Sequence, residues 1–132
     1  MDGWFKLHRK LLKNPIVMKD AAHLAIWVWL LGHAAHDETD VVFHGKRYTL
    51  KPGELVFTQR IIANDLSLSR EKVKRVLNDF KNEQQIDQRS DRQKTLVSIV
   101  RWTDYQINDQ RNDQRVTNDR PTSDQQNKNI RI

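Results

Sequence analysis

One segment of the sequence, residues 70–82, concentrates side chains that can donate several hydrogen bonds at once. Its polar positions are occupied by Arg70, Lys72, Lys74, Arg75 and Asn78. Arginine and asparagine can contact the edges of guanine and adenine through two hydrogen bonds each, whereas lysine mostly neutralises phosphate. The same segment holds Glu71, which could accept a hydrogen bond from a cytosine amino group or interact only with a helix dipole. These residue types indicate contacts with nucleic acid, and the simpler alternative is a basic helix exposed to solvent.

The apolar residues of the segment predict the helix that would present these side chains. They recur at helical spacing, at Val73, Val76, Leu77 and Phe80, and Ser69 before them is a suitable N-cap. Residues 58–66 predict a shorter helix, and residues 67–69 predict a turn between the two. Two helices joined by a short turn are the layout of a helix-turn-helix, in which the exposed face of the second helix enters the major groove of DNA.

Residues 86–102 predict a β-hairpin behind the second helix. Ile86 begins a short strand, residues 88–94 are polar, and residues 95–102 form a second strand rich in β-branched side chains. Basic residues lie at or near the predicted tip, namely Arg89, Arg92 and Lys94. As a wing, such a hairpin would contact phosphate or a minor groove, although any solvated hairpin could have this composition.

Two further helices are expected upstream. Apolar residues at helical spacing predict the first over 4–12, and Asn14-Pro15 ends it. Asp20 can cap the second, which is expected to reach about His36 and is apolar on nearly every face. A helix without a polar face is either central to a core or part of a subunit interface. Because a small domain does not easily bury two neighbouring tryptophans, the sequence favours an oligomer interface that includes Trp27 and Trp29, with a buried core helix as an equal alternative.

Short strands are expected between these helices and the helix-turn-helix. Residues 41–43 and 47–50 predict a strand pair around His44-Gly45, and residues 51–54 (KPGE) predict a type II turn. Residues 55–57 predict a third strand, and these strands are expected to join the wing in one small antiparallel sheet. The predicted fold class is therefore α+β: a winged helix-turn-helix, mainly helical, with a small antiparallel β-sheet, a β-wing and a disordered C-terminal tail.

Charge and composition divide the 132 residues into a basic domain and a neutral tail. The formal net charge is +6, and residues 103–132 carry five basic and five acidic side chains, so the whole excess belongs to the preceding part. Asn-Asp-Gln-Arg at 108–111 is repeated at 112–115, and residues 108–129 contain Val116 as their only aliphatic side chain. We therefore expect a winged-helix DNA-binding domain over 1–106 and a disordered linker or tail over 107–132.

Composition also limits the chemistry. The chain has no cysteine, which excludes disulfides and thiolate metal sites. The first residues lack the pattern of a signal peptide and the apolar run 24–31 is too short to span a bilayer, so we expect a cytoplasmic protein without membrane contact. Neither a glycine-rich phosphate loop nor a nucleophile motif is present, so no catalysis and no cofactor are expected. His33 and His36 could bind a metal ion, but no second ligand pair accompanies them, so no metal site is expected.

Four segments together resemble one family, the DnaD-like phage replisome organisers and related prophage replication proteins. They are residues 3–12 (GWFKLHRKLL) with Asn14-Pro15-Ile16 after them, 51–56 (KPGELV), 68–77 (LSREKVKRVL) and 99–106 (IVRWTDYQ). The resemblance implies an N-terminal winged-helix domain that binds DNA, self-associates and recruits helicase machinery in replication initiation. By analogy with winged helices, the groove-facing positions fall on Ser69, Arg70, Glu71 and Lys74, with Arg60 and Ser67 near the DNA backbone. Such proteins usually carry a second helical domain after the linker, which this sequence does not contain.

The expected partners are double-stranded DNA, a second copy of the chain, and helicase-loading machinery of a bacterial host cell. Two other functions use the same features. A phage or prophage transcriptional regulator would present the same helix face to DNA, since fold does not settle function. A protein–protein assembly module would depend on Trp27 or Trp29 and would respond weakly to salt, whereas a DNA-binding protein loses affinity steeply as salt rises.

Overall fold

Short helices and strands alternate along the described part of the chain, which comprises residues 3–91 and 94–102 of a computed structural model. The elements in chain order are a 3₁₀ helix (Arg9–Lys13), α1 (Ala21–His33), β1 (Thr39–Phe43), β2 (Lys46–Leu50), β3 (Glu54–Phe57), α2 (Gln59–Leu66), α3 (Arg70–Asn82), β4 (Ile86–Ser90) and β5 (Thr95–Ile99). This is an α+β fold with three α-helices and two small antiparallel sheets, compatible with a winged-helix-like fold. The predictions for the tail and for Arg92 lie outside the described residues.

The two predicted helices and the turn between them are confirmed, and side-chain caps fix both helix starts. The Thr58 hydroxyl accepts a hydrogen bond from the Ile61 amide at 3.3 Å, and the Ser69 hydroxyl accepts one from the Lys72 amide at 3.1 Å. Between them Ser67 ends α2 in the left-handed conformation, with φ 56°. These caps satisfy amides that would otherwise lack partners in the first turn of each helix, so the start of α3 is set by local interactions.

The strands form two separate sheets, which corrects the expectation of a single one. β3 pairs with β5, and β5 with β4, whereas β1 pairs only with β2 in a hairpin of its own. The type II turn before β3 is confirmed, because Gly53 has φ 86° and the Glu54 amide donates to the Lys51 carbonyl at 2.9 Å. Most side chains of β1 and β2 are exposed or half-buried. This hairpin therefore offers too little apolar surface to become part of the core sheet.

The core is built where α1 crosses α3 and the three-stranded sheet. The four apolar residues of the α3 stripe are fully buried, as the helical spacing predicts. Trp27 packs edge-on against Phe80 at 5.3 Å between ring centroids, and Trp29 packs edge-on against Phe57 at 5.4 Å. The Trp29 indole also donates a hydrogen bond to the Asp65 carboxylate at 2.8 Å. The two tryptophans belong to the interior of the chain.

This burial corrects the expectation that Trp27 and Trp29 form an oligomer interface. Their exposed fractions are 3% and 8%, so almost no surface of either ring is available to a second copy. The physical reason is that α1 lies between α2, α3 and the sheet, so its apolar faces are covered from several sides. Exposed large apolar side chains occur instead in the N-terminal segment, where Trp4 is 79% exposed.

The first two predicted helices are shorter than expected. Only Arg9–Lys13 is helical in the first segment, because His8 is extended and its own ring caps the Lys10 amide at 3.1 Å. α1 ends at His33 instead of His36. The Ala35 amide donates to the Glu54 carbonyl at 2.9 Å, and the Gly53 amide donates to the Ala35 carbonyl at 2.8 Å. These backbone bonds to the start of β3 replace the next turn of helix.

Across residues 3–91 and 94–102, no helix combines the length and the apolar character that crossing a membrane requires.

Candidate nucleic-acid interface

A cleft of about 820 Å³ lies where the first turns of α2 and α3 face the tips of two hairpins. The lining side chains are those of His44, Thr58, Gln59, Arg60, Ile61, Arg70, Glu71, Lys74, Ser90, Asp91, Lys94 and Thr95. Five of the residues predicted from the sequence are thus brought together: Arg60, Arg70, Glu71, Lys74 and Lys94. The rest of the lining is contributed by the caps of α2, by the β4–β5 hairpin and by the β1–β2 turn.

The cationic wall of the cleft is the first half of α3 together with α2. Arg70 and Lys74 are four residues apart, so they lie one above the other on the exposed face of α3. Arg60 in the first turn of α2 faces the same cleft. All three are exposed, and within the described ranges none of them has an ion-pair partner. Their charges are therefore available to an anionic ligand.

Other predicted residues lie outside the cleft. Arg75 and Asn78 are exposed and continue the polar face of α3 beyond its first turns, and Arg89 is exposed on β4. Ser67 and Ser69 have structural roles at helix ends: Ser67 ends α2, and the Ser69 hydroxyl caps α3. Contacts of these five residues with a ligand require a partner larger than the cleft itself.

Lys72, another of the predicted DNA-binding residues, has an ion-pair partner within the chain. Its ammonium group lies 3.0 Å from the Asp20 carboxylate, at the N-terminus of α1, and its side chain is only partly exposed. The residue sits at the edge of the polar face of α3, next to the apolar stripe, because residues four positions apart, such as Lys72 and Val76, are neighbours on the helix surface. This ion pair links the start of α3 to the N-cap of α1.

Lys94 faces the cleft but its charge is already compensated. Its ammonium group lies 2.6 Å from the Asp91 carboxylate and 5.4 Å from the centre of the Tyr48 ring. The hydrogen bond to Asp91, and then that to Tyr48, raise the pKa of Lys94. A phosphate approaching this hairpin must compete with Asp91, so Lys94 should contribute less to binding than Arg70 or Lys74 does.

The charges of the lining residues leave the cleft only moderately positive. Four side chains are cationic and two, Glu71 and Asp91, are anionic, which gives a net charge of +2 without His44. The exposed Ile61 adds an apolar contact on the same wall. Such a cleft suits an anionic ligand with extended hydrogen-bonding edges better than a small isolated anion, for which the cationic groups would need to converge on one point.

A buried histidine joins the start of α1 to the C-terminal half of α3. His23 is 1% exposed, and its ring nitrogens lie 2.6 Å from an Asp20 oxygen and 2.8 Å from an Asp79 oxygen. The ring can donate to both carboxylates only when both nitrogens carry a proton. Hydrogen bonds from His23 hold the pKa of Asp20 and of Asp79 below their usual range, and Lys72 and Lys19 lower them further. The cluster orients α3 relative to α1.

We expect the Asp79→Asn variant to lose about 1–2 kcal/mol of unfolding free energy at neutral pH, because a charged acceptor of His23 is removed. A carboxylate whose folded pKa is depressed stabilises the fold above its unfolded pKa, and that contribution is lost as the pH falls through the folded value. The wild type should therefore lose stability below about pH 4, more steeply than the variant does. Urea unfolding at neutral pH and at acid pH measures both effects. Asp87→Asn, at an exposed position on β4, is the control, and an equal loss in that variant would contradict the role of the cluster.

Several residues that line the cleft were not predicted from the sequence. His44, Thr58, Gln59, Ile61 and Asp91 face the cleft although none of them was predicted to. Thr58 and Gln59 could have been inferred from the predicted start of α2, since Arg60 is their neighbour. His44 had no such signal, because its position depends on how the β1–β2 hairpin packs against elements that follow it in the chain.

One of the two histidines considered as metal ligands, His33, makes contacts within α1. His33 stacks on Trp29 at 3.9 Å between ring centroids and contacts the Trp29 carbonyl at 2.8 Å. Over the part of the chain that the structure describes, no three histidine or acidic side chains are grouped so that they could hold a metal ion.

Comparisons of the chain with protein-family models, with curated proteins and with solved structures find no match.

Proposed function

We propose that this chain is a winged-helix protein that binds double-stranded DNA, with α3 in the major groove and the β4–β5 hairpin as the wing. The observation that carries the proposal is the convergence of Arg60, Arg70 and Lys74, exposed and without ion pairs among the described residues, on one cleft. An α-helix with its side chains is about 10–12 Å across, and the major groove of B-DNA is about 12 Å wide.

The side chains of α3 divide between reading bases and holding the backbone. Arg70, Lys74 and Asn78 follow one line along the exposed face, so they would face the floor of the groove. Arginine there favours guanine and asparagine favours adenine, while Glu71 could accept from a cytosine amino group. Arg60 and Arg75 lie beside this line and would neutralise phosphates on the two sides of the groove.

The proposed setting is initiation of phage or prophage DNA replication, with the chain acting as a replisome organiser and helicase-loading machinery as a further partner. Its support is the resemblance of four sequence segments to the DnaD-like replisome organisers. A transcriptional regulator would bind DNA through the same face of α3. Self-association belongs to the same proposal, and the burial of Trp27 and Trp29 favours an interface formed by other residues.

Fluorescence anisotropy of a labelled generic duplex, titrated with the full chain at a series of salt concentrations, tests the DNA-binding proposal. We expect micromolar or tighter binding at low salt, with a log–log salt slope of several, because each phosphate contact contributes about 0.9. Absence of binding at low salt would contradict the proposal. Binding with a flat salt dependence would also contradict it, since the cleft contacts are electrostatic.

A further inference from the structure

The β1–β2 hairpin stands apart from the three-stranded sheet, yet its tip reaches the proposed DNA-binding cleft. His44, in the turn of this hairpin, lines the cleft together with Arg70 and Lys74. Tyr48 on β2 lies beneath the Lys94 ammonium group of the β4–β5 hairpin. The hairpin therefore borders the same cleft as α3 and contacts the β4–β5 hairpin through Tyr48.

The turn at the tip projects into solvent. His44 and Gly45 have φ 51° and 78°, which is the geometry of a type I′ turn between Phe43 and Lys46. A Cβ atom added to Gly45 would have no heavy atom within 4 Å. The tip is therefore open to a partner.

The two faces of the hairpin differ. Residues 41, 43, 48 and 50 are half-buried or buried on one face, whereas residues 40, 42, 47 and 49 on the other face are exposed. Lys46 pairs with Phe43 across the hairpin and shares the first face with Tyr48, the residue that contacts Lys94 of the β4–β5 hairpin. Arg47 pairs with Val42 on the opposite face. Both cations are exposed, and neither has an ion pair with another described residue.

We propose that the β1–β2 hairpin is a second DNA-contacting element, in which Lys46 and His44 bind the phosphate backbone of the duplex whose groove receives α3. The inference rests on the proposed function. It adds a backbone contact to a cleft whose own net charge is only +2 and in which Asp91 compensates Lys94. The duplex would then contact both hairpins beside the start of α3, with His44 donating a hydrogen bond and Lys46 contributing a full charge.

The test compares Lys46→Gln with Arg47→Gln in the full chain. These neighbouring cations lie on opposite faces of one strand, so Arg47→Gln is a control matched in charge, exposure and position. We expect Lys46→Gln to reduce the salt slope for a generic duplex by about 1 and to weaken binding roughly eightfold at about 0.1 M salt. Arg47→Gln should retain the wild-type slope. Equal losses in both variants would overturn the inference, because they would indicate net charge and not the face of the hairpin that carries Lys46.

His44→Asn is a second variant that keeps the turn, since asparagine tolerates the left-handed conformation. It should weaken binding severalfold without changing the melting temperature, and wild-type affinity in both His44→Asn and Lys46→Gln would overturn the inference. The failure of this inference is distinguishable from that of the proposed function. If the wild type binds the duplex and Arg70 and Lys74 are required, but Lys46→Gln and His44→Asn bind like the wild type, only the role of the hairpin is wrong.

Discussion

Replacing Arg70 and Lys74 together by alanine is expected to weaken binding of a DNA duplex by about 1–3 kcal/mol, or roughly 5- to 150-fold. The two side chains lie one helical turn apart on the exposed face of α3, and the described residues provide no ion pair for either. Their charges are therefore not compensated before DNA arrives. If one of them reads a base, the loss should also relax sequence preference at that position, whereas a phosphate contact should be lost equally for all sequences.

The control for this variant is Lys13→Ala combined with Lys81→Ala. Asn14, next to Lys13, bonds to Gln85 at 3.1 Å, and Lys81 is in the last turn of α3, so both lysines lie far from the start of the helix. The control removes the same charge without touching the cleft. Thermal unfolding followed by circular dichroism should be unchanged in both double variants, since all four positions are exposed. Equal affinities of the two double variants would remove the recognition role of α3.

The elements that carry this prediction could be read from local sequence. Ser69 and Thr58 are caps whose hydrogen bonds reach only three residues along the chain, and the stripe from Val73 to Phe80 follows from one period of 3.6 residues. Such signals depend on neighbours in sequence, so residues 58–82 fold as predicted. The β4–β5 hairpin is local for the same reason.

The structural features that were not predicted from the sequence depend on residues that are distant from each other in the chain. Lys72 lies on the polar edge of α3 by its spacing alone, but Asp20, which binds it, is 52 residues away. The end of α1 is set by backbone bonds from Ala35 to Gly53 and Glu54. The separation of the β1–β2 hairpin from the other sheet likewise depends on which strands reach the core. The periodicity of apolar residues contains no information about such long-range pairings. They compete with local secondary-structure preferences only once the chain has collapsed.

The position of His44 shows the consequence for the site. The dipeptide His44-Gly45 predicts a turn, and the turn is present. The turn lines the same cleft as residues 70, 71 and 74. Nothing in residues 39–50 indicates this, because the whole of β3 and α2 separates the two segments in the sequence. The cationic half of the cleft was therefore predictable from the sequence, as was the β1–β2 hairpin itself, but the position of that hairpin beside the cleft was not.

Replacing Trp27 by alanine is expected to lower the free energy of unfolding by about 3–5 kcal/mol. The ring is buried against Phe80, at the crossing of α1 and α3, and its removal leaves a cavity that the surrounding helices can fill only in part. Because domains of this size have only about 5–15 kcal/mol of stability, the variant should unfold at much lower denaturant concentration than the wild type. Chemical unfolding followed by circular dichroism avoids any dependence on tryptophan fluorescence.

Trp4→Ala provides the matched control, since it removes the same side chain from a position that is 79% exposed. That variant should stay within about 0.5 kcal/mol of the wild type. The pair also separates the two roles considered for Trp27. If Trp27 is a core residue, its replacement lowers the free energy of unfolding. The oligomeric state, measured by sedimentation velocity at temperatures where the variant is folded, then stays unchanged. A residue at a subunit interface would show the reverse, a change of oligomeric state with little loss in the stability of the folded chain. The contact with Phe80 predicts the first result.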